Sequence, residues 1–188
     1  MPTLFRFDPE RVAHFEASGW RAYYDRRWLD VLRLIVALCQ EQFRIPFPAS
    51  WFAAYYITRA SMAWVPVDHD VQKVQRYLEK FYRIARRYSG LKFDPEQVGK
   101  LELHYFDVHR RFVGVEDKSA YIEAMTSLHS AIFGISPEQA RESAEWRVKA
   151  SNLVDGITGK TSTDIEGDWV TLEAYLTRCY RSIKTQLQ

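Results

Sequence analysis

The sequence predicts an all-α protein, a single-domain bundle of about seven helices, and three observations carry that expectation. Apolar residues recur at three- and four-residue steps, as in Trp28, Leu32, Ile35 and Cys39, or Leu172, Leu176, Cys179 and Ile183. No stretch alternates apolar and polar residues between turn signals, as a half-buried strand would. With only 8 Gly and 7 Pro in 188 residues, punctuation is sparse, and nearly all of it falls where helices should begin or end.

Taken in order, the helices are expected over 8–43, with a kink at Gly19, then 48–64, 68–89, 94–112, 117–133, 136–157 and 167–187. Asp8-Pro9-Glu10 starts the first: the aspartate caps free N–H groups, and proline tolerates the first turn. The following acid meets the positive end of the dipole. Asp94-Pro95-Glu96 and Ser136-Pro137-Glu138 repeat that chemistry for the fourth and sixth helices. Asp68-His69-Asp70, after Pro66, reads as the cap of the third rather than as a metal motif. Stops fall at Ser89-Gly90, Gly114, Gly134 and the Gly156–Gly159 region, where Gly, Thr, Ser and Asp cluster before the last helix.

Composition narrows the class of function. A length of 188 residues suits one core, and a formal net charge of +2 gives no strong field toward nucleic acid or an anionic membrane. Basic pairs such as Arg26-Arg27, Arg86-Arg87 and Arg110-Arg111 read as solvated faces. Cys39 and Cys179 sit in apolar stretches, as buried free thiols would. The first residues carry no long apolar run, and the apolar stretch near Val31 to Leu38 is too short to span a bilayer. A cytoplasmic protein is therefore expected, with neither nucleic acid nor membrane as partner.

One phrase occurs twice. Phe7-Asp8-Pro9-Glu10 and Phe93-Asp94-Pro95-Glu96 are each followed at equal distance by a glutamate, an aromatic and a further ring. These are Glu16, Trp20 and Tyr23 in the first copy, and Glu102, Phe106 and His109 in the second. Tyr77-Leu78 through Tyr82-Arg83 likewise matches Tyr175-Leu176 through Tyr180-Arg181, and Arg59-Ala60-Ser61 echoes Lys149-Ala150-Ser151. These matches predict a pseudo-twofold repeat in which the first three helices correspond to the fourth, sixth and seventh, with the fifth inserted. Capping alone accounts for the shared Asp-Pro-Glu, since Ser136-Pro137-Glu138 does the same work without the rest.

The candidate site grows from Glu102 and His109, which lie two turns apart on one helical face with Phe106 between them. A carboxylate and an imidazole on a core-facing stripe need partners. Three expectations compete. The acids pair with Arg59 and Arg147 as structural bridges. Alternatively Glu16, Glu102, His109 and Glu145 hold a metal, with iron or manganese as the class such carboxylate-rich bundles take. Or the cluster lines a pocket for a small-molecule ligand, with Arg59, Arg147, Tyr23 and Trp20 as binding residues. The chain has no Glu-x-x-His motif, and Tyr23 stands where a second histidine would complete the symmetry. In helix count and repeat alone the chain resembles haem-oxygenase-like or ferritin-like bundles, and no catalytic residue is carried over. Function is thus expected to be ligand binding or oxidoreductase-type chemistry at a metal. The alternative is a non-catalytic interaction module, homodimeric through the amphipathic helix 167–187.

Overall fold

The computed structural model describes residues 5–188, which form eight α-helices and, among the described residues, no strand. They are α1 (Pro9–Tyr24), α2 (Trp28–Phe43), α3 (Ala49–Trp64), α4 (Val71–Ser89), α5 (Pro95–Phe112), α6 (Ser119–Phe133), α7 (Pro137–Thr158) and α8 (Ile165–Gln186).

The expected first helix is two. Gly19 stays inside α1, and the chain turns at Asp25-Arg26-Arg27, where Arg26 takes a left-handed φ of 59°. The Arg27 N–H still reaches back to the Ala22 carbonyl at 2.9 Å, so the break costs little backbone hydrogen bonding. Nothing in the sequence there is glycine or proline, which is why periodicity alone runs through it. At Gly19 an added Cβ would stand 3.9 Å from the Leu34 Cβ, so the glycine marks where α2 folds back against α1 rather than a kink.

Elsewhere the caps act as their chemistry dictates. The Asp8 carboxylate accepts from the Glu10 and Arg11 N–H groups, Asp94 from Glu96, and Asp70 from Lys73. Ser136 and Gln139 form a reciprocal capping box at the start of α7. Gly90 and Gly134 end α4 and α6 in the left-handed conformation, with φ of 79° and 66°.

Neighbouring helices pack as α1 on α2 and α8, α4 on α3 and α5, and α7 on α6 and α8, with α5 against α6 and α2 touching α3. The core they enclose contains Val12, Phe43, Phe81, Tyr121, Leu128, Leu172 and Leu176. The stripe of α8, on which a homodimer was expected to rest, is spent internally: Trp169, Leu172, Leu176, Cys179 and Ile183 are all buried. No helix among the described residues is long and apolar enough to cross a membrane.

Both cysteines lie in this core. Burial pushes the Cys39 thiol up to about 12, and burial likewise raises Cys179 far above the ordinary thiol range. A thiolate is the reactive form, so neither should react while the helices are packed. In native buffer an aromatic disulfide reagent should label both cysteines only at the rate of global unfolding, and at once in denaturant; fast labelling of the native protein would contradict this burial.

Candidate functional site

Glu16 is the most telling residue of the interior. It follows Val12 and Ala13 on the buried face of α1 and is itself buried. Its Oε1 accepts from Arg147 Nη2 of α7 at 2.7 Å, and its Oε2 accepts from Tyr180 Oη of α8 at 2.5 Å. Three helices therefore meet on one carboxylate. The guanidinium lies over the Trp20 ring, 4.4 Å from its centroid, which supplies a cation–π contact where water is excluded. Arg147 Nη1 reaches the Ser151 hydroxyl one turn on, at 3.4 Å.

The second glutamate has a parallel arrangement. Glu102 of α5 accepts from Tyr82 Oη of α4 at 2.5 Å. Each of the two tyrosines is braced by the phenylalanine just before the capping aspartate of the helix whose glutamate it binds: Phe7 meets Tyr180 edge-on at 6.1 Å, and Phe93 meets Tyr82 edge-on at 5.7 Å. The two sites differ in charge, because Arg147 binds Glu16 directly, while Glu102 accepts only from a neutral hydroxyl.

Electrostatics follow from that difference. Burial raises the Glu102 carboxyl above its ordinary value, and the Tyr82 hydrogen bond and Arg147 only partly oppose it. Burial is the largest single influence on Arg147 and works against its charge, but Glu16 together with Tyr105, Tyr180 and Tyr121 holds the guanidinium pKa above its usual value. Tyr82 and Tyr180 are pushed well up by burial and by their glutamates, so both phenols stay protonated donors.

A second arrangement lies beside the first. Tyr121 donates to Tyr105 Oη at 3.0 Å, and its ring stacks on that of His109 with centroids 5.1 Å apart. His109 Nε2 stands 3.1 Å from Asp155 Oδ1 of α7. His129, on α6, is buried and pairs through Nδ1 with the Ser143 hydroxyl at 2.8 Å. Burial, then the charge of Arg147, lowers its pKa to about 3, so it is neutral.

The expected site residues thus divide. The structure brings Glu16, Arg147 and Trp20 together, with Glu102 near enough to feel both charges. His109 turns to Asp155 instead of the glutamates. Glu145 is spent on an exposed bridge to Arg141, one turn back on α7. Arg59 lies over the rings of Tyr77 and Tyr55 on the α3–α4 side. Tyr23 is exposed and packs edge-on against Tyr24 and Trp28. Glu16, Glu102, His109 and Glu145 consequently do not form one ligand set, and among the described residues no three His, Cys, Asp or Glu side chains are grouped to hold a metal ion. Tyr82, Tyr180, Tyr105 and Tyr121 were missed as site residues, although Tyr82 and Tyr180 stand at matching places in the repeated Tyr-Leu…Tyr-Arg phrase.

Two surface recesses lie away from this cluster. One of about 1030 Å³ opens beside Phe7, Glu41, Arg44 and Lys184; another of about 360 Å³ runs between α3 and α4. No protein-family model, curated protein or solved structure matches the chain.

The two glutamates should respond oppositely to loss of charge. Glu16→Gln leaves Arg147 buried without its counter-charge and should cost about 3 kcal/mol or more in urea unfolding at neutral pH. Glu102→Gln keeps an acceptor for Tyr82 and removes an ion that burial disfavours, so it should be as stable as the parent or more so. Because Glu102 has a raised folded pKa, its protonated form stabilises the fold below the unfolded value of 4.5. That contribution disappears as pH rises through the folded pKa, and the glutamine variant should lack the slope.

His129 has the opposite sense. Its folded pKa of about 3 lies below the unfolded 6.5, so the unfolded chain alone takes up a proton as pH falls. This should remove about 2 kcal/mol of stability by pH 5 relative to neutral pH. Unfolding curves of His129→Asn should show that acid loss diminished by the same amount; an unchanged acid limb would count against a buried neutral imidazole.

Proposed function

We propose that this protein is a non-catalytic binding module, built as two related four-helix halves, in which the buried Glu–Arg–Tyr cluster is structural and the outward face of α3 is the working surface. The observation that carries the reading is an inversion on α3. Toward the bundle its fully buried residues are all small, Ser50, Ala53, Ala54 and Ala60, with Tyr56, Ile57 and Trp64 partly buried beside them. Four of its large side chains point the other way, with Trp51 45%, Phe52 59%, Tyr55 49% and Met62 62% exposed. Trp51, Tyr55 and Met62 share one stripe by helical periodicity, and Phe52 flanks it. A contiguous apolar patch of this kind on a helix of a folded domain marks an interaction surface.

The interior supports the other half of the reading. Glu16, Arg147, Tyr180, Glu102 and Tyr82 take their hydrogen bonds from one another, so a ligand there would have to replace bonds already made. Neither recess described above is lined by these residues. Small-molecule binding is the second reading; it rests on the His109–Asp155 pair.

Support for two halves comes from the crossed pairing. The repeat relates Phe7 to Phe93, Glu16 to Glu102, and Tyr82 to Tyr180. In space Glu16 and Phe7 meet Tyr180, while Glu102 and Phe93 meet Tyr82. With eight helices, α1–α4 correspond to α5–α8 one for one, and the inserted helix of the seven-helix scheme becomes the partner of α2.

An anionic apolar dye such as anilinonaphthalene sulfonate tests the module. Native protein should bind it saturably, and Trp51→Ser/Tyr55→Ser/Met62→Ser should bind at least about tenfold more weakly with an unchanged unfolding temperature. Dye binding that survives this substitution but disappears in Glu102→Gln would instead return the function to the interior cluster.

A further inference from the structure

We infer that the α3–α4 face binds an anionic membrane surface, with α3 lying in the plane of the headgroups. The inference rests on the reading of α3 as the working surface and names its partner.

From Gln42 to Val67 the chain holds no Asp or Glu, and its charges there are Arg44 and Arg59. That interval includes the exposed Phe47, Trp51, Phe52, Tyr55, Met62, Val65 and Val67. Next to it, α4 carries Lys73, Arg76, Lys80, Arg83, Arg86 and Arg87 against the single acid Glu79. Glu79 bridges to Arg83, which leaves the other five cations of the helix without a carboxylate partner among the described residues. The recess between the two helices joins both chemistries: Phe52, Tyr56, Ile84 and Tyr88 form its apolar wall, and Lys80 and Arg87 stand on it.

Charge decides among the possible occupants. A second copy of the same face would set these cations against one another, which disfavours an isologous dimer. Single-stranded nucleic acid would use the aromatic rings and the cations, but Met62, Val65 and Val67 offer no face for a base to stack on. A bilayer interface of acidic lipids uses all three groups: aromatic and aliphatic side chains enter the acyl boundary, and Lys and Arg remain with the phosphates. The 16 residues of α3 span about 24 Å, enough to lie on a bilayer; no described helix is apolar enough to cross one.

Flotation of the full chain with two kinds of vesicle tests this directly: phosphatidylcholine alone, and phosphatidylcholine with a quarter of phosphatidylglycerol. Binding to the anionic vesicles is expected, at least tenfold above the neutral ones, and lost at about 1 M salt where the screening length is about 3 Å. Lys80→Glu/Arg87→Glu and, separately, Trp51→Ser/Phe52→Ser/Met62→Ser should each weaken it by about tenfold or more with helicity and unfolding temperature unchanged. Equal binding to both vesicles, no binding, or binding indifferent to both variants overturns the inference. So does a sedimenting dimer abolished by the triple substitution, or an oligonucleotide complex formed where vesicles are not bound. If the dye of the preceding test binds α3 while anionic vesicles do not, the module stands and only its membrane partner falls.

Discussion

The buried ion pair between Glu16 and Arg147 is the constraint around which the interior is arranged. Two ions taken from water are tolerated only when every remaining polar valence is met nearby. One glutamate oxygen is met by Arg147 and the other by Tyr180, while the guanidinium rests on Trp20 and reaches Ser151. Since the contributors lie on α1, α7 and α8, the pair specifies how those helices register. Burial of such a pair is a poor source of net stability against an apolar alternative, but breaking one side of it is costly. Any packing that left either ion alone would carry that same cost.

Glu102 shows what the same geometry becomes without the cation. Both glutamates accept from a tyrosine at 2.5 Å, each tyrosine held edge-on by a phenylalanine. Only Glu16 has an arginine, and burial raises the Glu102 carboxyl above its ordinary value. The polar interior and the apolar exterior of α3 are complementary departures from the usual partition of residues. Acids and an arginine inside are reconciled by pairing, whereas Trp51, Phe52 and Tyr55 stand half-exposed on the outside.

Helix identities were largely legible because the signals that set them act within a few residues. Asp8, Asp94 and Ser136 cap helices as their chemistry requires, and Gly90 and Gly134 end them. The failure at Arg26 is instructive for the same reason. A left-handed turn at a non-glycine residue leaves no local mark, and it is stabilised by α2 folding back onto α1. In the candidate site, Glu16 and Trp20 follow from the repeated phrase, and Arg147 is one of the charged groups that α7 offers to the acids. Residue type cannot separate Arg147 from Arg59, which sits in the more apolar α3 yet faces Tyr55 and Tyr77.

By itself the sequence determined an all-helical chain, the ends of most helices, two interior thiols, and the matched positions of Glu16 with Glu102. Capping and the 3.6-residue period suffice for these, because both operate within one or two turns. Tertiary structure alone decided which charges meet. Glu16 and Arg147 are 131 residues apart, and His109 meets Asp155 rather than Glu102, two helical turns away on its own face. It alone also revealed that α3 presents its rings outward, since periodicity identifies an apolar stripe but not whether a neighbouring helix covers it.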